Sequence, residues 1–228
     1  MYICDYLNYD LSCLRRMETT YSQASQDLFA LYISKHKQNG WFVEIGANDP
    51  VMTNNTYLLE SAYGWKGLMV EYDGSFLEKY KALRPNSYYA MNDARRVDYK
   101  GFLDNNNFPS RIDYLQIDLD VDNRSTLDVL ELLDRTVFDK YTFSCITFEH
   151  DIYRGDYFDT RAQSRALLEK RGYVLAFPDV CVFWQEGLKP FEDWYIHKDV
   201  LDAATMESLQ NHTSWSHYDI IRKIKTVV

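Results

Sequence analysis

Apolar and polar positions along the chain change period repeatedly, and the changes mark out elements. Trp41 to Ile45 is a short, mostly apolar run broken by Glu44 and closed by Gly46, the pattern of a buried parallel strand. Small and polar residues follow, then Thr53, Asn54, Asn55 and Thr56 lead into the helical spacing of Tyr57, Leu58 and Leu59, a helix over about 54–63 that stops before Gly64. Gly67 to Glu71 predicts a second strand, and Ser75 to Leu83 a helix ended by Arg84 and Pro85. Ser87 to Met91 is a third strand and Ile112 to Ile117 a fourth; the polar stretch 95–111, with Asn105, Asn106 and Asn107, predicts mostly loop. Ser125 caps a helix with Leu127, Leu130 and Leu133 on one face. A fifth strand over 144–148, a helix over 159–171 and a sixth strand over 173–177 come next. Val180 to Trp184 predicts a last strand, paired near Trp194, and one or two helices fill 198–226. Upstream, a helix entered through Ser22 or Ser25 carries Leu28, Phe29, Tyr32 and Ile33 as its apolar stripe. Residues 1–20 are an N-terminal extension and 21–228 a single domain. Alternating strands and helices over one domain imply an α/β fold, a mostly parallel sheet with helices on both faces.

Composition changes this picture little, but charge narrows the partners. A chain of 228 residues with net charge −9 needs a local basic patch to track phosphates. Its basic clusters, Arg95 with Arg96 and Arg222, Lys223 with Lys225, are small and scattered, which disfavours nucleic acid. The four cysteines, Cys4, Cys13, Cys145 and Cys181, lack metal-ligand spacing, and the latter two sit in apolar runs as core residues do. The first residues lack the basic and then apolar segments of a signal peptide, and no apolar run is long enough to span a membrane, so the expectation is a cytoplasmic protein with no membrane partner. The sequons at Asn54, Asn123 and Asn211 then read as chance matches.

Candidate chemistry gathers at the carboxyl ends of the predicted strands, where open parallel sheets bind ligands. Glu44 and Gly46 close the first strand, Glu71 the second, Asn92 and Asp93 follow the third, Asp118 and Asp120 the fourth, and Glu149, His150 and Asp151 the fifth. Each group alone also reads as a turn or cap; their common position favours a site. Glu71 lies about 25 residues after Gly46, close to the ~20 at which an acid meets ribose hydroxyls in doubly wound folds. The dinucleotide fingerprint wants three glycines. This turn has one, with an acid beside it, which suits a phosphate-free cationic ligand, S-adenosylmethionine (SAM). Gln23, Gln26 and Asp27 read either as a solvated first helical turn or as a cover over the cofactor. Asp118, Glu149 and His150 offer donors for Mg²⁺ or Mn²⁺; alternatively His150 is a metal-free general base.

Taken together, Tyr21, Ser22, Gln23, Gln26 and Asp27, then Phe42 to Asp49, Asn55 to Glu60, Gly64, Trp65, Gly67 and Glu71 resemble the FkbM-type SAM-dependent methyltransferases over roughly residues 21–195. The resemblance implies a Rossmann-like class I methyltransferase sheet of seven strands, the last antiparallel. It implies transfer of a methyl group to a hydroxyl, often of a sugar or natural product, and SAM contacts from Gln23, Asp27, Glu44, Gly46 and Glu71. With the strand-end residues Asn48, Tyr72, Asn92, Asp93 and Asp118, these make the expected cofactor set. Ile117 to Asp120 with Ser125, Thr126 and Leu127 also resemble the metal-dependent macrolide and aminocoumarin sugar O-methyltransferases. That likeness implies Asp118 as a metal ligand, Asp120 as the base, and Glu149 and His150 in the paired-acid positions. His150 departs from the pattern, and the Asp-Val-Glu-Gly of FkbM relatives is missing. The expected acceptor is a carbohydrate or glycoside, stacked on Tyr153, Trp184 and Trp194. The alternatives are an RNA cap or ribose 2′-O-methyltransferase, against which the missing Lys-Asp-Lys-Glu set argues, and a non-catalytic module binding a partner through Trp184, Phe191, Trp194 and Tyr195.

Overall fold

Each apolar run that ends on a polar group becomes a strand of one sheet. The computed structural model describes residues 19–185, 187–210 and 213–228. Its strands are β1 (Trp41–Ile45), β2 (Lys66–Glu71), β3 (Tyr88–Met91), β4 (Arg111–Ile117), β5 (Thr142–Glu149), β6 (Tyr173–Trp184) and β7 (Gly187–His197). They lie in the order β3-β2-β1-β4-β5-β7-β6. The first five are mutually parallel, and β7 runs antiparallel between β5 and β6. Strand order reverses between β1 and β4, so their carboxyl ends flank the crevice where such sheets take ligands.

Eight helices cover the sheet among the described residues: α1 (Gln26–Ile33), α2 (Tyr57–Tyr63), α3 (Leu77–Leu83), α4 (Tyr99–Asn105), α5 (Ser125–Thr136), α6 (Phe158–Lys170), α7 (Ala203–Leu209) and α8 (His217–Val227). Side chains alternate across a strand, and the core divides accordingly. Phe42, Met69, Tyr114, Cys145 and Trp194 pack under α1, α7 and α8, and Val43, Ile45, Leu115, Ile117, Ile146 and Phe148 pack under α4 and α5. Leu127, Leu130 and Leu133 of α5 are fully buried, each worth roughly 1.5–3 kcal/mol over exposure.

Three expectations shift. The stretch 95–111 is not mostly loop, because α4 lies inside it. Asp98 accepts a hydrogen bond from Gly101 N, and Tyr99 and Leu103 bury one face, an i, i+4 pair hidden among asparagines. The sixth and last predicted strands are one strand, β6. Its register slips between Phe177 and Val180, around Pro178, which has no N–H to give, and Asp179 at φ 52°. Trp194 therefore pairs with Phe177, while Val180–Trp184 pair with Glu192 and Gly187–Pro190. Finally, α2 begins at Tyr57 because Asn54 and Asn55 are held in the preceding turn.

Candidate active site

The turn after β1 is shaped by backbone contact. Gly46 has φ +86°, and a Cβ there would sit 1.6 Å from the carbonyl oxygen of Asp118, so only glycine lets the ends of β1 and β4 meet. Asp118 N in turn donates to Ile45 O. Glu44 is fully buried and accepts from Asn55 N (2.8 Å) and Thr56 Oγ1 (2.6 Å), anchoring the start of α2. Burial pushes its pKa up to about 7, with the Arg84 charge opposing. Arg84, also fully buried, bonds Glu60 Oε2 (2.8 Å), Asn54 Oδ1 (2.9 Å), Thr56 Oγ1 (2.8 Å) and Pro50 O (3.1 Å). This network fixes the loop 46–56.

Next to that loop, Glu71 accepts from Asn48 N (2.7 Å) and Asp73 N (2.8 Å), linking the ends of β1 and β2. Beyond it a cleft of about 760 Å³ lies between the β2 and β3 ends, lined by Tyr72, Asp73, Gly74, Met91, Asn92, Asp93 and Arg96. Three expected cofactor residues, Tyr72, Asn92 and Asp93, thus share one cleft beside Glu71. Its wall mixes polar and apolar groups and holds two acids and one arginine.

The carboxyl ends of β4 and β5, and the middle of β7 beside them, carry acids on the face that α1 covers. Asp118 and Glu149, both partly exposed, follow the paired residues Ile117 and Phe148 and share a hydrogen bond. Burial and then the charge of Asp118 hold Glu149 well above the usual carboxylate range. Burial also raises Asp118, opposed by the hydrogen bond from Glu149. Burial and mutual repulsion thus push both carboxyls of this hydrogen-bonded pair up, Glu149 the more strongly. Glu192, opposite Glu149 in the β5–β7 ladder, is fully buried, accepts from Trp194 Nε1 (2.6 Å), and is likewise pushed up by burial. Asp151, buried and paired with Arg154 (2.7 Å), adds its charge to this group.

His150 goes to the opposite face. Its Nε2 lies 3.4 Å from Asp193 Oδ1 and 3.5 Å from Asp179 Oδ1, and neither ring nitrogen makes a hydrogen bond. Among the described residues, His150, Asp179 and Asp193 form the one set of three metal-capable side chains with ligand atoms within 4.8 Å of one another. The expected set of Asp118, Glu149 and His150 is not brought together. Arg165 takes both oxygens of Asp193 (2.7 and 2.8 Å), and Arg161 and Arg165 both bond Asp179 Oδ1 (2.8 and 2.9 Å). Burial would raise Asp193, yet these contacts and His150 hold it below the carboxylate range. Donor types suit a divalent ion here, but two guanidinium groups already neutralise both carboxylates, so the set does not fit one.

The remaining expected residues are local. Asp120 is an exposed cap that accepts from Asp122 N (3.1 Å) and Asn123 Nδ2 (3.3 Å). Asp27 is buried, and its oxygens accept from Thr20 Oγ1, Tyr21 N, Ser22 Oγ and Leu28 N, so it folds the turn before α1. Gln23 is exposed on that turn. Cys4 and Cys13 lie outside the described residues. Arg84 and Glu192 escaped the sequence reading. Glu192 and Asp193 had a signal, an acid pair inside the apolar run from Phe191 to Ile196.

Solved structures resemble this chain in fold. An O-methyltransferase from Bacillus cereus in complex with S-adenosylhomocysteine (SAH) superposes with TM-score 0.50 at 15% identity, over 81% of this chain and 86% of that one. A TehB-like SAM-dependent methyltransferase from Corynebacterium glutamicum gives 0.48 at 11%, over 82% and 94%. A putative rRNA-methylase from Clostridium thermocellum gives 0.48 at 12%, over 79% and 99%. The fold is that of the class I methyltransferases. At these identities the likeness shows the fold alone. No family model matches the chain. No curated protein matches it either.

Those results correct two expectations. The chain carries a general class I fold and is not placed in the FkbM family, since no family model supports the short motif matches. The carbohydrate acceptor falls with it, and its stacking residues do not form a platform. Trp194 is fully buried and stacks on Phe29 at 4.6 Å, whereas Trp184 is 51% exposed near the β6–β7 turn. The partner-binding surface imagined around Trp184, Phe191, Trp194 and Tyr195 is likewise dissolved, because all but Trp184 are core. No helix among the described residues is long and apolar enough to cross a membrane.

Proposed function

We propose that this chain is a SAM-dependent methyltransferase acting on a hydroxyl or amine. The observation that carries the reading is the Asp118–Glu149 pair, two partly exposed, hydrogen-bonded carboxyls at the ends of β4 and β5 beside the Gly46 turn. When bound, SAM supplies an electrophilic methyl group on a sulfonium. Glu71, Tyr72, Asn92 and Asp93 would hold its adenosine end in the cleft, and the Gly46–Asn48 backbone would face its amino-acid end. Asp118, hydrogen-bonded to Glu149, is the group placed to accept the proton that the acceptor loses. The same acids repel phosphates, which supports a small acceptor over nucleic acid. No step needs the His150 face. Calorimetry on the whole chain tests the reading: micromolar, one-site binding of SAH is expected with none of NADH, and NADH binding without SAH binding overturns it.

A further inference from the structure

A line of buried polar side chains runs from the core up to Asp118. Tyr114, Gln116 and Asp118 alternate along β4 and its end, so their side chains share one face of the sheet. Thr147 is the partner of Gln116 in the β4–β5 ladder, and Glu149, two residues on, bonds Asp118. Tyr114, Gln116 and Thr147 are 0% exposed, whereas Asp118 is partly exposed. Tyr114 OH donates to Gln116 Oε1 (3.0 Å) and lies 2.7 Å from Thr147 Oγ1, which also bonds Gln116 Oε1. At the other end of the amide, Gln116 Nε2 donates to Asp118 Oδ2 (3.5 Å). Asp118 is the acceptor that this buried donor finds among the described residues.

The neighbours fix which way the amide points. An amide has one accepting and one donating end. Turned over, Gln116 would set its carbonyl oxygen against the Asp118 carboxylate; the two hydroxyls on Oε1 keep the donor aimed at Asp118 instead. A hydrogen bond given to a carboxylate favours its charged form, which here opposes the effect of burial. Glu149 can give such a bond only while it holds its proton, and once ionised it repels Asp118. Gln116 has no proton to lose, so its donation persists when Glu149 ionises. The other titratable groups in the field of Asp118 are Asp151, Glu192 and Tyr153, with Arg154 held on Asp151.

We propose that Gln116 is the positioning residue of this site: its amide, aligned by Tyr114 and Thr147, holds the Asp118 carboxylate in the orientation and charge state in which it takes up a proton. This rests on the methyltransferase reading, in which Asp118 accepts the proton of the acceptor. Gln116 itself touches neither acceptor nor cofactor. It acts from below, through Asp118, while the exposed side of that carboxylate stays open to the acceptor.

The test is NMR on the whole chain. The ¹³C resonance of the Asp118 carboxyl, assigned by its loss in Asp118→Asn, is followed against pH in the unaltered chain and in Gln116→Met. Methionine keeps the length of the side chain and leaves the Tyr114 and Thr147 hydroxyls bonded to each other. Without the amide donor the apparent midpoint of Asp118 should rise by about one pH unit, a tenfold fall in its acid dissociation constant. Calorimetric affinity for SAH should stay within about twofold, because the cleft and the Gly46 turn are untouched. An unchanged or lower midpoint overturns the proposal. A higher midpoint accompanied by loss of SAH binding overturns it too, since Gln116 is then a structural support of the β4 end. In the unaltered chain the side-chain amide protons of Gln116 should shift with the midpoint of Asp118. An amide that does not follow Asp118 also overturns the proposal, and this measurement decides if Gln116→Met does not fold. Failure of SAH to bind the unaltered chain sinks the methyltransferase reading instead.

Discussion

Replacing Arg84 with methionine tests how the β1 turn is held. The guanidinium is 0% exposed and makes four hydrogen bonds, one of them part of an ion pair with Glu60, whose side chain is 3% exposed. It also opposes the burial of Glu44. Methionine fills much of the volume but leaves Glu60 as a buried charge supported by Ser87 Oγ (2.6 Å) and Asn86 N (3.1 Å) alone. Breaking a buried pair by removing one partner costs about 3–5 kcal/mol. With a urea m-value of roughly 2 kcal/mol/M, the unfolding midpoint should fall by about 1.5–2.5 M. Circular dichroism against urea reads this directly. Adding Glu60→Gln to Arg84→Met should recover part of the loss, because the orphaned charge is then gone. A loss below about 1 kcal/mol for the single variant, well under what breaking a buried pair costs, would refute the reasoning and make Arg84 an incidental passenger. Loosening 46–56 should also weaken SAH binding, since the Gly46–Asn48 backbone and the Glu71 link depend on that loop.

Stability should fall as pH rises from 6.5 to 8. Glu44, raised from 4.5 to about 7, stabilises fully below its ordinary value and loses that contribution as it ionises; Asp118, Glu149 and Glu192, raised by burial, act the same way. His217, lowered from 6.5 to about 4, has the opposite sign, its contribution being lost as pH falls below 6.5, so the upper window isolates the acids. A urea midpoint that rises between pH 6.5 and 8 would contradict this. Metal should matter little: Mg²⁺ or Mn²⁺ in place of EDTA should leave the melting temperature unchanged, whereas an ion held at 100 times its Kd would add about 2.7 kcal/mol. A rise of several degrees with either ion would restore the metal site.

The sheet was readable because its signals are local. Trp41 to Ile45 and Ile112 to Ile117 are apolar runs of strand length that stop on polar residues, and both are strands within a residue of their expected ends. Gly46 was also readable as a place of close approach, although what approaches in this structure is the Asp118 carbonyl. Other features were hidden by distance along the chain. Arg84 reads as a residue before proline that stops a helix, and nothing nearby announces that it reaches back to Asn54, Thr56 and Glu60. The β6–β7 pairing depended on a bulge at Pro178 and Asp179, which shifts register without changing the apolar pattern.

His150 was different, because the sequence held the correction. Glu149 closes a strand, and a step of one residue there reverses the direction of the side chain. Glu192 and Asp193 repeat the step on the neighbouring strand. Period-two reasoning therefore sorts the four residues into Glu149 with Glu192 on one face and His150 with Asp193 on the other, as found. The two faces then part in charge. Under α6, Asp179 and Asp193 meet the guanidinium groups of Arg161 and Arg165, and their charges are matched. Under α1, Asp118, Glu149, Asp151 and Glu192 meet Arg154 alone among the described cations bonded to them. A neutralised cluster is complete as folded and holds β6, β7 and α6 together. In the other cluster burial pushes Asp118, Glu149 and Glu192 toward the neutral form, and the fold places it beside the Gly46 turn.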